Sequence, residues 1–373
     1  MVQDKKFIPS LTGIRAISAY LIFFYHLNFF SPETQPTAFL ILNQFYTFTT
    51  FFFVLSGFII CYKYYETRAL KKVDLFNYFI NRISRIFPVL FILTTITFLL
   101  QYIYHLNNTS EIIKTYIYNI TLLKGFSTEY KFTGIGPSWS ISVEELFYTL
   151  SPFLFFFITK KSNLLKTILV FYALGILFTF LFSHISADGF FSDYKFTAYF
   201  TFFGRIFEFA CGIFLAFIVK GKFKPGILKS AGKYTLMLGW FIIILSVLGL
   251  YCAAKYYHVQ HAPDSWTGLF INNIIMPIGI TLILYSLIYH KTILQKFLES
   301  KLMVALGSAT YSFYLLHTTF MLSWIEKYIS KNLIITFISM VIFSYIFFRL
   351  IEQPLAKLIR KKFTIKKTVT TLP

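Results

Sequence analysis

Two ionisable residues stand in the first apolar stretch of the chain, Arg15 and His26 in TGIRAISAYLIFFYHL. In an α-helix, eleven residues bring the chain to within about 20° of three whole turns and about 16 Å along the axis. Both side chains therefore fall on one face, at two depths. An ionisable group inside an apolar span costs several kcal/mol unless it is paired or wet, so each is a candidate functional group. In NRISRIFP, Arg82 and Arg85 are three apart and share a helix face. Their forked guanidiniums suit a phosphate, with ordinary flanking charge as the other reading. In PSWSISVEELFY, Ser142 and Glu145 have the spacing of a capping box. Glu144 is then left for another partner, and its expected depth matches that of His26, where a carboxylate would orient the imidazole and raise its basicity.

Other polar groups read more simply. Arg205 and Glu208 in GRIFEFACG, and Arg349 and Glu352 in RLIEQP, have i, i+3 spacing and are expected to form structural ion pairs. Tyr311, Tyr314 and His317 in YSFYLLH read as cavity contacts, with a satisfied core histidine as the alternative. His105, His184, His258 and His261 lie near outer helix ends and His290 near an inner one. No HExxH spacing or Cys/His cluster occurs, so no metal is expected. Cys61, Cys211 and Cys252 are too far apart for a disulfide framework. Ser56-Gly57 suggests close helix approach; the G-x-S-x-G elbow of a serine nucleophile is missing.

The elements that must position these groups follow from composition. Of 373 residues, 57% are hydrophobic and 13% charged, against about 25% charged in ordinary globular domains; mean hydropathy is +0.66. The reading is an all-α polytopic membrane protein. Spans of roughly 20 apolar residues fit ten segments, at 11–30, 38–62, 86–106, 144–159, 167–184, 198–219, 234–254, 267–289, 303–325 and 332–353. An amphipathic piece, Ile112–Leu123, is expected at the membrane surface. The net charge of +20 comes from lysines and arginines clustered between spans, which argues against nucleic acid as a partner. With the N-terminus inside, the clusters at Lys5 and Lys6, at Lys63 to Arg85 (including Arg68, Lys71 and Lys72), at Lys160 to Lys166, at Lys220 to Lys233, at Lys291 to Lys301 and at Lys357 to Lys367 all fall on the cytoplasmic side. Lys114, Lys124, Lys131, Lys195, Lys255, Lys327 and Lys331 fall outside. The positive-inside rule then puts both termini in the cytoplasm. The chain reads as one domain, 1–373, with a basic cytoplasmic tail over about 355–373 that lacks apolar periodicity and reads as an inside-positive anchor at the membrane lipids, with a specific lipid site as the other reading.

Seven of these stretches occur together and in order: Arg15 with His26, FFFVLSGF, RISRIFP, SWSISVEELFY, RIFEFACG, YSFYLLH and RLIEQP. In this the chain resembles the acyltransferase-3 family of integral-membrane O-acyltransferases. The resemblance implies ten helices in a bacterial inner membrane, essential Arg15 and His26, and no bound cofactor. It also implies an acyl-CoA donor, acetyl-CoA above all, reached from the cytoplasm. The implied acceptor is a hydroxyl of an envelope glycan or lipid-linked sugar outside, such as lipopolysaccharide O-antigen, capsule or exopolysaccharide. Some relatives carry an extracytoplasmic hydrolase-like domain, and the end of this chain at Pro373 leads us to expect direct transfer.

In that frame Arg82 and Arg85, with Arg15, would hold the donor's phosphates, and His26 would be the general base, with Glu144 orienting it; a transient acyl-histidine is a second route. The alternative class is a secondary transporter of an anionic solute or lipid-linked sugar, its buried charges forming a proton relay. The acceptor sugar, the acyl length and the oligomeric state are left unspecified by the residues. The topology has a direct test in a variant with Cys61, Cys211 and Cys252 replaced by serine. A membrane-impermeant thiol reagent on intact cells should label a cysteine introduced at His258 and not one at Lys224; the reverse pattern would overturn the orientation.

Overall fold

The computed structural model describes residues 7–65, 72–106, 108–185, 188–226, 228–229 and 232–365. Of the expected cytoplasmic charges, Lys5, Lys6, Arg68, Lys71, Lys366 and Lys367 lie outside the described residues, as do the side chains of Lys72 and Lys233. The described residues are all-helical, and their only strand-like pairing is an isolated antiparallel bridge between Ser127 and Phe190.

In chain order the helices are α1 (Pro9–His26), α2 (Pro36–Asn43), α3 (Thr49–Tyr64), α4 (Lys72–Ile103), α5 (Thr109–Ile120), α6 (Trp139–Phe157), α7 (Lys161–Phe182), α8 (Tyr194–Phe200) and α9 (Phe202–Val219). They continue as α10 (Thr235–Tyr256), α11 (Trp266–Phe270), α12 (Met276–Tyr289), α13 (Ile293–Leu298), α14 (Lys301–Ser308), α15 (Thr310–Leu316), α16 (Phe320–Tyr328), α17 (Leu333–Phe347) and α18 (Gln353–Phe363).

Among the described residues, seven helical stretches are long and apolar enough to cross a membrane: Pro36–Tyr64, Asp74–Ile103, Lys161–Phe182, Tyr194–Val219, Thr235–Tyr256, Trp266–Tyr289 and Leu333–Phe363. The chain is a multi-pass membrane protein. The other three expected spans differ in an informative way. Helix α1 has 18 residues and carries Arg15 and His26, and α6 has 19 and carries Glu144 and Glu145. The third, 303–325, is broken into α14, α15 and α16. Thr310 Oγ1 donates to the Gly307 carbonyl across the first break, and Thr319 caps the Met321 amide after the second. The polar groups that could do chemistry are what make these segments poor lipid-spanning helices.

Helices α3 and α9 form the buried centre, while α7 and α10 expose apolar side chains such as Leu169, Phe180, Phe241 and Ile244 toward lipid. The central pair meets backbone to backbone. A Cβ on Gly57 would lie 2.2 Å from the Phe209 carbonyl oxygen, and one on Gly212 would lie 2.1 Å from that of Val54. Gly13 and Gly307 likewise draw α1 against the α13–α14 hairpin, with a Gly13 Cβ 2.2 Å from the Leu298 oxygen. Phenylalanine fills the space beside these contacts: Phe147 stacks on Phe209 at 4.3 Å, and Phe53 packs on the same ring at 5.3 Å.

The amphipathic piece appears as α5. It is clipped to the loop before α8 by Lys114 Nζ on Asp188 Oδ1 at 2.5 Å and by Tyr118 Oη on Asp188 Oδ2 at 2.6 Å. At the other end, α17 runs through a π-helical turn, Phe348–Glu352, into α18, which reaches Phe363 and packs on α4. The basic tail is thus partly a helix of the fold; Asn77 pairs with both the amide and the carbonyl of Ile365 at 2.9 Å.

Gly212→Val should be strongly destabilising, on the order of 3 kcal/mol or more, because the atom it strikes is main chain and cannot rotate away. Gly136→Ala, which meets nothing within 4 Å, is the control. Thermal unfolding in detergent should show a large loss for the first and none for the second; a wild-type Gly212→Val would refute the close-packed centre.

Candidate active site

Arg15 on α1, Arg82 and Arg85 on α4, Glu144 and Tyr148 on α6, Ser56 on α3 and Tyr311 on α15 converge on one narrow cavity of about 70 Å³. Arg82 is buried, with its guanidinium over the rings of Tyr64 and Tyr148 at 5.5 and 5.6 Å and Nη2 donating to Tyr64 Oη at 3.4 Å. Glu144 accepts from Ser56 Oγ at 2.9 Å and from Tyr148 Oη at 3.1 Å. The described residues contain two salt bridges, Lys114–Asp188 and Arg205–Glu208. None of the three arginines here is in one, so the cavity holds guanidinium charge in excess of its carboxylates.

This cavity lies between two larger ones. On one side it shares Arg15, Ile59, Arg82 and Arg85 with a space of about 400 Å³ whose far wall includes Lys63, Asn81, Gln353 and Arg360. On the other side it shares Tyr314 with a space of about 900 Å³ lined by His26, Trp139, Tyr199, His261 and Asp264, among others. Tyr314 Oη bonds Ser140 Oγ at 2.9 Å and donates to the Pro137 carbonyl at 3.2 Å, which fixes its ring at the boundary.

His26 is exposed in the largest cavity, and its neighbours are rings: His317 at 5.1 Å and Tyr25 at 4.5 Å between centroids. His317 is buried, with Nδ1 on the Tyr314 carbonyl at 2.8 Å. Tyr25 Oη pairs with His261 Nε2 at 2.9 Å, a contact between residues 236 apart in sequence that no spacing rule could find. Burial lowers the pKa of His261 while Asp264 opposes the shift. Burial also lowers that of Lys131, which sits over Phe132, Phe196 and Phe200 and is opposed by Asp193 and Asp264.

Several expected partnerships are corrected. Glu144 makes no hydrogen bond or ion pair with His26; it belongs to the arginine cavity, because α6 starts at Trp139 and turns the carboxylate toward α3. The capping box does not form, since Ser142 lies one turn inside α6, packed against Gly125, and neither Ser142 Oγ nor Glu145 Oε1 has a partner among the described residues. Arg349 and Glu352 do not pair. The wider i→i+5 turn at Phe348–Glu352 takes i and i+3 off a common face; Arg349 is exposed, and Glu352 accepts from Ser312 Oγ at 2.5 Å. Tyr311 lines the arginine cavity and donates to the Ile86 carbonyl at 2.7 Å.

Arg205 and Glu208 do pair, at 2.7 Å and fully buried. The same Arg205 Nη1 reaches Asn273 Oδ1 at 2.6 Å, and the guanidinium lies 4.6 Å from the ring of Tyr199, which walls the largest cavity. Asn272 and Asn273 come from a π-helical turn, Ile271–Ile275, and Asn273 Nδ2 donates to the Ala198 and Gly204 carbonyls where α8 breaks from α9. Sequence reasoning passed over both asparagines. A polar pair inside an apolar span was the available signal.

Lys124, read from the sequence only as an outer charge, is fully buried. Its Nζ has four acceptors: Asn119 Oδ1, the Thr133 and Ile135 carbonyls and Ser138 Oγ, at 2.6–3.0 Å. It pins the loop whose residues Gly134, Gly136 and Pro137 rim the largest cavity. Burial pushes its pKa down to about 7.

Fold and site together define a multi-pass membrane protein with a cationic cavity and a histidine cavity joined at a narrow waist. A family model described as an acyltransferase domain matches residues 8–349, and the chain belongs to that family, acyltransferase-3. It is similar to "O-acetyltransferase OatA" of Staphylococcus aureus (strain NCTC 8325 / PS 47), 24% identical over 95% of this chain and 58% of the relative. It is also similar to "Putative O-acetyltransferase SACOL0978" of Staphylococcus aureus (strain COL), 25% identical over the same shares. The chain thus spans less than two thirds of the length of these relatives. No solved structure matches it.

Lys124 yields a pH prediction. Its folded pKa of about 7 lies below the unfolded value near 10.4, so between these the unfolded chain binds the extra proton and stability rises with pH, by at most about 1.4 kcal/mol per unit. Unfolding temperature in detergent should climb from pH 7 to pH 9 more steeply for wild type than for Lys124→Met. Parallel curves would show that Lys124 stays charged throughout.

Proposed function

We propose that this chain is a membrane O-acetyltransferase that moves an acyl group from cytoplasmic acyl-CoA to a hydroxyl of an envelope glycan on the other side of the bilayer. The observation that carries this reading is the run of three cavities through the fold, with Arg15, Arg82 and Arg85 shared by the first two and Tyr314 by the last two. A guanidinium cluster without salt-bridge partners suits the phosphates of a nucleotide-bearing donor. The arm of acyl-CoA is about as long as the roughly 16 Å that separate Arg15 from His26 along α1, so a donor held by the arginines would bring its thioester near the waist.

In this reading ten segments cross the inner membrane, with both termini in the cytoplasm. The acceptor enters the wide cavity, where Trp139 and Tyr199 offer ring faces and Asp193 and Asp264 offer acceptors for hydroxyls. His26 removes the hydroxyl proton as the oxygen attacks the thioester carbon. The C–O bond forms, the C–S bond breaks, and the proton is returned to the thiolate, which leaves as CoA thiol. Glu144 serves the donor side, where it stands among the arginines. The family match and the names of the relatives support the reaction class; the donor and the acceptor are our inference.

Inverted vesicles given radiolabelled acetyl-CoA test it. Label should become covalently attached to glycan, whereas a transporter would leave none attached. His26→Ala should abolish transfer at normal protein level, and His26→Gln should lose about 10²–10⁴-fold. Arg82→Ala with Arg85→Ala should raise the donor KM, since a charge-assisted contact is worth about 1.5–3 kcal/mol, and Lys at both sites should restore only part. Glu144→Gln should follow the arginines in KM. An active His26→Gln protein would overturn the mechanism.

A further inference from the structure

We infer that His317 is the positioning residue for His26, holding its imidazole by a neutral nitrogen-to-nitrogen hydrogen bond. This deepens the proposed function, since it rests on His26 as the base.

The argument starts from the tautomer. A main-chain carbonyl can only accept a hydrogen bond, so the 2.8 Å contact between His317 Nδ1 and the Tyr314 carbonyl requires a proton on Nδ1. In a neutral ring the other nitrogen, Nε2, is then a lone-pair acceptor. That atom is buried and has no hydrogen-bond partner among the described residues, an arrangement that costs stability if nothing donates to it. His26, whose ring centroid is 5.1 Å away, is a group able to donate to it. This is the separation of two imidazoles joined nitrogen to nitrogen across about 3 Å. His26 is exposed to the cavity, and this bond is the one the inference assigns to its ring.

The His317 ring itself is held firmly. Phe313 stacks parallel to it, with centroids 5.9 Å apart and planes within 8°, and Phe23 closes another side at 6.3 Å. The chain of bonds would run from the Tyr314 carbonyl through His317 to His26 and out to the acceptor hydroxyl. His26 would donate one N–H to His317 and present its remaining lone pair to the hydroxyl. When it takes the proton, the imidazolium is stabilised by the His317 lone pair, and no carboxylate is needed. This accounts for the absence of Glu144 from the neighbourhood of His26. It also makes the motif YSFYLLH part of the reaction centre: Tyr314 forms the waist with its hydroxyl and sets the His317 tautomer with its carbonyl.

The test compares His317→Phe, which keeps the apolar packing and removes the acceptor, with His317→Gln, which restores an acceptor oxygen near the position of Nε2. Initial rates of label transfer from radiolabelled acetyl-CoA to the host's own envelope glycan are measured in vesicles matched for protein, across pH and donor concentration. His317→Phe should lower the rate about 10–100-fold with donor KM unchanged. That is less than the loss of about 10⁴ when a charged orienting group is altered in a triad. Its acid limb should move to lower pH, because an unsupported imidazolium forms less readily. His317→Gln should recover much of the rate and return the limb toward wild type. Asp193, Asp264, Lys131, Lys195, His261 and the tyrosines of the wall are the same in every variant, so they cannot cause the shift. Equal impairment in both variants with an unmoved limb would mean that His317 only packs, and a wild-type His317→Phe would refute the inference outright. If His26→Ala is inactive while His317→Phe is not, this inference alone falls; if His26→Ala stays active, the proposed function falls with it.

Discussion

A guanidinium inside a bilayer is tolerated only where counter-charge, water or a ligand offsets its lost hydration, and the placing of Arg15, Arg82 and Arg85 follows from that constraint. These three are clustered around a cavity and have no salt bridge, whereas Arg205, fully buried, has Glu208 and Asn273 and lies between the rings of Phe53 and Tyr199. The same residue type thus serves two purposes. Where a carboxylate and an amide within the fold meet the guanidinium, as at Arg205, the group is mortar between helices even with its Nε and Nη2 unpartnered among the described residues; where no carboxylate pairs with it, the group faces space that another molecule can fill. Of the helices around that space, α1 and α6 are not among the apolar spanning stretches and α3 is largely buried, while α7 and α10 show apolar faces outward.

The second theme is where helices depart from regularity. The π-helical turns at Ile271–Ile275 and Phe348–Glu352 and the interruptions between α8 and α9 and around α15 all carry buried polar groups. Freed carbonyls need donors in a medium without water, and Asn273, Thr310 and Thr319 supply them. Each irregularity also aims a side chain: Glu352 at Ser312, Asn272 at Thr47, and the Tyr314–His317 pair at the junction of two cavities. The backbone bends where the site requires a polar atom at a particular depth.

Much was legible in the residues taken one at a time. Apolar run length identified the seven longest spanning helices, because burial in lipid rewards hydropathy wherever it occurs along the chain. Helical spacing put Arg15 and His26 on one face of α1 at two depths, and put Arg205 beside Glu208, because these are distances within a single regular helix. Ordered motifs pointed to the family. Depth, rotation and partner choice between helices were not available in this way. Glu144 was expected beside His26 on depth alone, yet the rotation of α6 turns it to Ser56 and Tyr148; Arg349 and Glu352 were expected to pair, yet a π turn separates them. His261 and Asn273 acquired their partners only when segments far apart in the chain came together, and Lys124 only when its own loop folded over it. Local periodicity fixes which residues share a face, since that depends on backbone geometry alone. Which face meets which is decided by close glycine contacts, aromatic packing and the satisfaction of buried polar atoms across the whole fold.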